Sequence, residues 1–231
     1  MPTIAPEPGS PAALAALVDH TLLAPVTSTD QIIDLCEEAV EYGFASVCVP
    51  PLYVPLATRR LYGSSVRVGT VVGFPCGYSM LRQKVGETGD LVAAGAEEID
   101  MVISLRHLLE NRLDLLEEEI AQVVMAAQQA QVKVIIECCF LQTEQKIAAT
   151  RAAIKAGATY VKTSTGFGPS GATVDDVRLL AQTGAGKIGV KAAGGIRTLD
   201  TFRQMIAAGA TRIGTSSGVQ ILHQWSHQGA D

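Results

Sequence analysis

No stretch of this 231-residue chain stays apolar for the roughly 18 positions that a membrane-spanning helix needs. The five cysteines, Cys36, Cys48, Cys76, Cys138 and Cys139, are odd in number and form no CxxC pair. That excludes a disulfide framework and a thiolate zinc site, and points to a reducing, cytoplasmic setting. The four histidines, His20, His107, His223 and His227, form neither HxH nor HExxH, so a metal centre is not expected. No GxGxxG follows an expected strand (Gly184-Ala185-Gly186-Lys187-Ile188-Gly189 runs into one instead), and no GxxxxGK phosphate loop is present, which leaves no nucleotide-cofactor fingerprint. A net charge of −5 with scattered lysine and arginine argues against a nucleic-acid partner. It leaves room for a small anion, because local backbone dipoles bind one without a basic surface. Residues 1–10 lack the basic and apolar regions of a signal peptide and read as a disordered lead-in.

What is present is repetition. The phrase Ala94-Gly95-Ala96 returns as Ala156-Gly157-Ala158 and Ala208-Gly209-Ala210, and more loosely as Tyr42-Gly43-Phe44. Each copy closes a helical pattern and opens a β-branched run, the joint expected where a glycine cap turns a helix into the next strand. Serial joints of this kind signal parallel strands with helical crossovers. Strands are expected near 17–22, 45–49, 67–74, 97–103, 132–137, 159–164, 187–192 and 211–214. Residues 105–131 read as the longest helical stretch. Ser28 with Gln31 forms a capping box, Thr173 with Asp176 resembles one, and Thr143 and Thr198 are further N-cap candidates. Eight such units predict a closed (β/α)8 TIM barrel, occupying 11–231 as one domain. Active sites of that fold lie at the carboxyl ends of its strands.

Two lysines fall there, each inside an apolar run. They are Lys162 in Thr159-Tyr160-Val161-Lys162-Thr163 and Lys191 in Ile188-Gly189-Val190-Lys191-Ala192. Burial and a second nearby cation both disfavour an ammonium ion, and a lysine so treated becomes a neutral nucleophile toward carbonyls. A lone strand lysine is about as often a snorkelled or salt-bridged residue. Two at equivalent positions favour Schiff-base chemistry. Asp100, between Ile99 and Met101, needs a partner that either lysine can supply. Its alternatives are a structural ion pair and a proton shuttle beside the imine. Glu137 is a second carboxylate of this type. Asp19 and Thr21 share a parity on the first strand and are candidates for extending a proton relay. Cys48 and Cys138 read as wall residues, since no histidine is placed to activate either.

Glycine-rich loops follow the last two strands: Ala193-Gly194-Gly195-Ile196-Arg197 and Gly214-Thr215-Ser216-Ser217-Gly218. The loops after strands seven and eight are the customary phosphate site of this fold, and backbone N–H groups there suit an anion.

Seven ordered motifs carry a resemblance. They include Asp19-His20-Thr21-Leu22-Leu23, Glu98-Ile99-Asp100-Met101-Val102, Lys133-Val134-Ile135-Ile136-Glu137, Val161-Lys162-Thr163-Ser164-Thr165-Gly166-Phe167 and Val190-Lys191-Ala192-Ala193-Gly194-Gly195-Ile196-Arg197. With Val71 to Pro75 and Arg212 to Ser217, they make the chain resemble the deoxyribose-phosphate aldolases, a class I aldolase family, from Leu17 onward. The resemblance implies Lys162 as the Schiff-base lysine, Asp100 as proton donor and acceptor, and Lys191 as the second lysine. It implies a phosphate-binding set of Gly194, Gly195, Arg197, Gly214, Ser216 and Ser217. The implied substrates are a sugar phosphate and an aldehyde, with no cofactor or metal, on a homodimer or homotetramer. Phe167, Cys138 and the terminal Gly229-Ala230-Asp231 stand where family members commonly carry other residues.

Overall fold

A computed structural model describes residues 8–228. Eight parallel strands close on one another in chain order. They are β1 (Val18–Thr21), β2 (Ser46–Val49), β3 (Arg67–Val72), β4 (Glu98–Val102), β5 (Gln131–Ile135), β6 (Tyr160–Lys162), β7 (Gly189–Ala193) and β8 (Arg212–Thr215). The helices are α1 (Pro11–Ala15), α2 (Thr29–Tyr42), α3 (Val54–Arg60), α4 (Leu81–Ala93), α5 (Leu105–Leu109), α6 (Leu113–Ala126), α7 (Thr143–Lys155), α8 (Val174–Gly184), α9 (Leu199–Ala207) and α10 (Gly218–Gln228). Each of the eight expected strand positions holds a strand. Among the described residues, no helix is long and apolar enough to cross a membrane.

Strand parity separates two environments. Val47, Val68, Ile99, Met101, Val134, Val161, Val190 and Ile213 are buried in the apolar layer shared with the helices. Burial of each such side chain contributes about 1.5–3 kcal/mol. The alternate residues point into the barrel and are largely polar. Register puts Asp100 beside Lys133, Lys162 beside Lys191, and Lys191 beside Arg212.

The helix ends follow local chemistry, with three departures from expectation. Ser28 and Gln31 form the capping box, and Thr173 and Thr198 accept from the Asp176 and Thr201 amides. Thr143, however, is already helical, and the cap is Gln142, whose N–H donates to Gln145 Oε1 at 2.8 Å. The stretch 105–131 is not one helix. It breaks between α5 and α6, where Asn111 takes a left-handed φ of 55° that asparagine tolerates better than most residues. A second such turn at Gln128, φ 54°, leads into β5. Of the expected lead-in, residues 1–7 lie outside the described residues, as do 229–231. Ser10 caps α1, a helix the sequence reading did not anticipate.

Candidate active site

The barrel interior holds a buried layer of charge. Asp100 is its centre. Lys162 Nζ lies 2.7 Å and Lys191 Nζ 2.6 Å from Asp100 Oδ2, and Lys133 Nζ lies 3.1 Å from Oδ1. Asp19 Oδ2 is 2.6 Å from Lys191 Nζ, while its Oδ1 accepts from Arg212 at 2.6 Å and from Ser46 Oγ at 2.7 Å. Lys133 also pairs with Glu98, which Arg212 approaches to 3.4 Å. Three carboxylates therefore face three lysines and an arginine, all of them buried.

Removing ions from water costs several kcal/mol each unless the partners restore it. Here the balance differs from lysine to lysine. Burial alone would lower the pKa of Lys191, but Asp100 and Asp19 more than reverse this and hold it above the ordinary lysine value. Burial acts against the Lys133 ammonium too, and Asp100, Asp19 and Glu98 hold it well above that value. Lys162 goes the other way. Burial lowers it, Asp100 only partly restores it, and Lys191 lowers it further. Repulsion from Lys191 thus contributes to the lowering, though desolvation is the larger cause. Burial also disfavours the Asp19 and Asp100 carboxylates. The surrounding cations outweigh it and hold both below the usual range. Cys48, beside the layer, is pushed up to about 11 by burial, so it stays a thiol at neutral pH.

Lys162 is also the lysine of this layer that borders a cavity. The cavity, about 350 Å³, opens at the carboxyl ends of the strands. Thr21, Thr165, Gly166, Phe167, Gly194, Gly195, Arg197, Gly214 and Ser216 line it. The loop after β7 runs through Gly194 and Gly195 at φ 89° and 80°, a left-handed backbone that favours glycine. A Cβ on Gly194 would lie 2.9 Å from Gly171 Cα, so the loops after β6 and β7 touch backbone to backbone. A Cβ on Gly214 would lie 3.0 Å from Lys191 Cε, which makes this glycine the floor on which Lys191 rests.

The residues singled out from sequence divide into three places. Asp19, Asp100, Lys162 and Lys191 meet in the charge layer. Thr21, Gly194, Gly195, Arg197, Gly214 and Ser216 line the cavity above it. Ser217 faces a separate outer hollow with His20, Glu38 and His223, and its own N–H donates to Thr215 Oγ1 at 2.9 Å. Thr21 Oγ1 donates to the Asp19 carbonyl at 2.8 Å, so its link to Asp19 runs through the main chain. The Glu137 carboxylate is engaged elsewhere: it accepts from the N–H and hydroxyl of Thr165, in the loop that follows Lys162. A left-handed φ of 51° turns Glu137 toward that loop. Sequence reasoning assigned no role to Lys133, Glu98 or Arg212. Their signal was available, since each is a charged residue at an inward position of an apolar strand. Among the described residues, no group of histidine, cysteine, aspartate or glutamate side chains is arranged to hold a metal ion.

A closed parallel barrel whose ion-packed interior ends in a lysine of lowered pKa, beneath a glycine-lined cavity, defines a class: barrel enzymes that work on carbonyl compounds through an amine. The chain belongs to the DeoC/LacD aldolase family, whose family model matches residues 13–224. It is 52% identical to the deoxyribose-phosphate aldolase of Syntrophotalea carbinolica over 211 residues, 91% of this chain and 96% of the relative. It is 48% identical to that of Caldanaerobacter subterraneus over 219 residues, 94% of this chain and 95% of the relative. Among solved structures it superposes on the tetrameric deoxyribose phosphate aldolase of Aeropyrum pernix with a TM-score of 0.89 and 33% identity, covering 95% of this chain and 94% of that one.

Proposed function

We propose that the protein reversibly cleaves 2-deoxy-D-ribose 5-phosphate to acetaldehyde and D-glyceraldehyde 3-phosphate through an imine on Lys162. The observation that carries this reading is the lowered pKa of Lys162 within a layer where Lys133 and Lys191 are held as ammonium ions. Family membership and two relatives near 50% identity named for this reaction support the substrate.

The neutral Lys162 amine adds to C1 of the open-chain aldehyde, and loss of water gives an iminium ion. Asp100, through a water molecule between it and the substrate, takes the C3 hydroxyl proton. The C2–C3 bonding electrons move to C2, giving an enamine on Lys162, and C3 leaves as the aldehyde of glyceraldehyde 3-phosphate. Protonation at C2 and hydrolysis release acetaldehyde and the free amine. Lys191 remains an ammonium ion that anchors Asp100 and repels a proton from Lys162. Backbone N–H groups at Gly194, Gly195, Gly214 and Ser216, with Arg197, bind the phosphate, while Ser217 fixes the turn beside it through its N–H to Thr215 Oγ1, so distal binding energy orients the reacting carbons. Asp19 extends the proton path through Lys191, and Thr21 borders the cavity with its hydroxyl tied to the Asp19 carbonyl. The iminium supplies the electron sink, and the scheme uses no metal or cofactor. We place the enzyme in the cytoplasm as a homodimer or homotetramer, the latter by analogy with the tetrameric Aeropyrum pernix relative.

The test is direct assay of both aldehydes from 2-deoxyribose 5-phosphate. The wild-type protein should release them in equal amounts and Lys162→Leu should release neither. Undiminished cleavage by the variant would refute the assignment.

A further inference from the structure

Lys133 touches more of the buried charge than either lysine of the proposed chemistry. Its Nζ contacts Glu98, lies 3.1 Å from Asp100 Oδ1, and lies 3.3 Å from Asp19 Oδ2. It is fully buried and does not border the cavity, so it is not placed to touch substrate.

The charged groups around it come from every wall of the barrel. Asp19 stands on β1, Glu98 and Asp100 on β4, Lys162 on β6, Lys191 on β7 and Arg212 on β8. Cys48 on β2 is a thiol, and Tyr160 on β6 lies under the Arg212 guanidinium, 5.5 Å from ring centre to Cζ. Arg67 on β3 reaches Glu98 at 3.4 Å from a side chain 44% exposed, where water screens it. Setting Lys162 aside, the cations Lys133, Lys191 and Arg212 match the carboxylates Asp19, Glu98 and Asp100 one for one. Lys162 is the surplus. In a low-dielectric interior an unmatched charge is expelled as a proton before it is tolerated as an ion.

We infer that Lys133, with Glu98 as its partner, is a positioning residue that keeps Lys162 unprotonated, by completing the charge balance of the barrel interior and by occupying the Asp100 oxygen that Lys162 does not use. Loss of Lys133 leaves three carboxylates against Lys191 and Arg212, and Lys162 then becomes the ammonium ion that restores neutrality. Loss of Glu98 has the opposite sign. A merely structural Lys133–Glu98 pair would change stability and leave the titration of Lys162 where it is.

This inference rests on the imine reading above. The test is the pH profile of kcat/KM for cleavage of 2-deoxyribose 5-phosphate, together with borohydride-trapped adduct against pH. The proteins compared are wild type, Lys133→Met, Glu98→Gln and the double variant. The acid limb of Lys133→Met should move up by about one pH unit or more, giving roughly tenfold lower kcat/KM on that limb and recovery in alkaline buffer. The limb of Glu98→Gln should move down, and the double variant should return to within about half a unit of wild type. A Lys133→Met profile lowered equally at all pH values, with its acid limb unmoved, overturns the inference. So does a Glu98→Gln limb that stays put or moves up, and this arm stands alone should Lys133→Met fail to fold. Absence of any adduct in the wild-type enzyme overturns the imine reading itself and the inference with it.

Discussion

Lys162 and Lys191 lie side by side on adjacent strands and share one oxygen, Asp100 Oδ2, at 2.7 and 2.6 Å. Two ammonium ions on one carboxylate oxygen in a dry interior repel each other strongly, so the shared contact is stable with one proton fewer. Asp19 decides which lysine gives it up. Its Oδ2 lies 2.6 Å from Lys191, whose pKa is held above the ordinary lysine value while that of Lys162 is lowered.

Replacing Lys191 with leucine removes a cation that lowers the pKa of Lys162 and leaves Asp100 Oδ2 to Lys162 alone. The pKa of Lys162 rises, so the acid limb of kcat/KM moves to higher pH. At neutral pH activity should fall by about a hundredfold or more, with partial recovery in alkaline buffer. A pH–rate series measures this. A fall that is uniform with pH would contradict the role given to Lys191.

Asp100→Asn leaves Lys133, Lys162 and Lys191 around a neutral amide. Breaking a buried pair in this way costs about 3–5 kcal/mol, and loss of a proton-transfer group about 10²–10⁴ in kcat. Because the folded-state pKa of Asp100 is depressed, its stabilisation is present above the unfolded carboxyl value and is lost as pH falls through the folded one. The stability gap between wild type and variant should therefore persist through mildly acidic pH and close only in stronger acid. Denaturant midpoints taken across that range are the check.

Gly194→Ala strains a left-handed residue and pushes a methyl group against Gly171. The loop should move by a few tenths of an ångström, at a cost of about 1–3 kcal/mol. KM for the phosphorylated sugar should rise about tenfold or more, with little change for unphosphorylated 2-deoxyribose. Equal losses on both substrates would remove this loop from phosphate binding.

Lys84 is a fourth buried lysine, outside the charge layer, and it tests whether burial alone makes such a residue reactive. Its Nζ donates to the carbonyls of Gly77 and Val102 at 2.6 and 2.7 Å and to Glu119 Oε1 at 2.6 Å. Glu119 in turn accepts from the Ser104 N–H at 2.9 Å. Lys84→Met should lower stability by about 3–5 kcal/mol and leave the acid limb of kcat/KM unmoved. A shifted limb would show that this node reaches the titration of Lys162.

The strands were legible because they are short runs rich in β-branched residues, and β2, β4, β6 and β8 are entered through the same glycine joint. The meeting of Asp100, Lys162 and Lys191 was legible because inward parity at the strand ends allows little else. The break at Asn111 was not, since the leucine periodicity on either side continues across it and a single left-handed residue leaves no periodic mark. Glu137 was misleading for a related reason. Its strand parity points inward, but its φ of 51° turns the carboxylate to Thr165. Lys133, Glu98 and Arg212 met the criterion that singled out Lys162, a charge within an apolar strand. Lys133 and Glu98 stood out less because no glycine loop follows them. The glycines near the lysines mark where the backbone must approach a ligand, whereas the ions below the cavity depend on contacts between strands far apart in sequence. One such contact, Arg212 to Asp19, spans 193 residues.

The central claim is an imine on one particular amine. Incubation with 2-deoxyribose 5-phosphate, borohydride reduction and peptide mass spectrometry test it directly. The account predicts a reduced adduct on Lys162, with Lys133 and Lys191 unmodified. An adduct on Lys191, or none at all under conditions where the sugar phosphate binds and is cleaved, would contradict it.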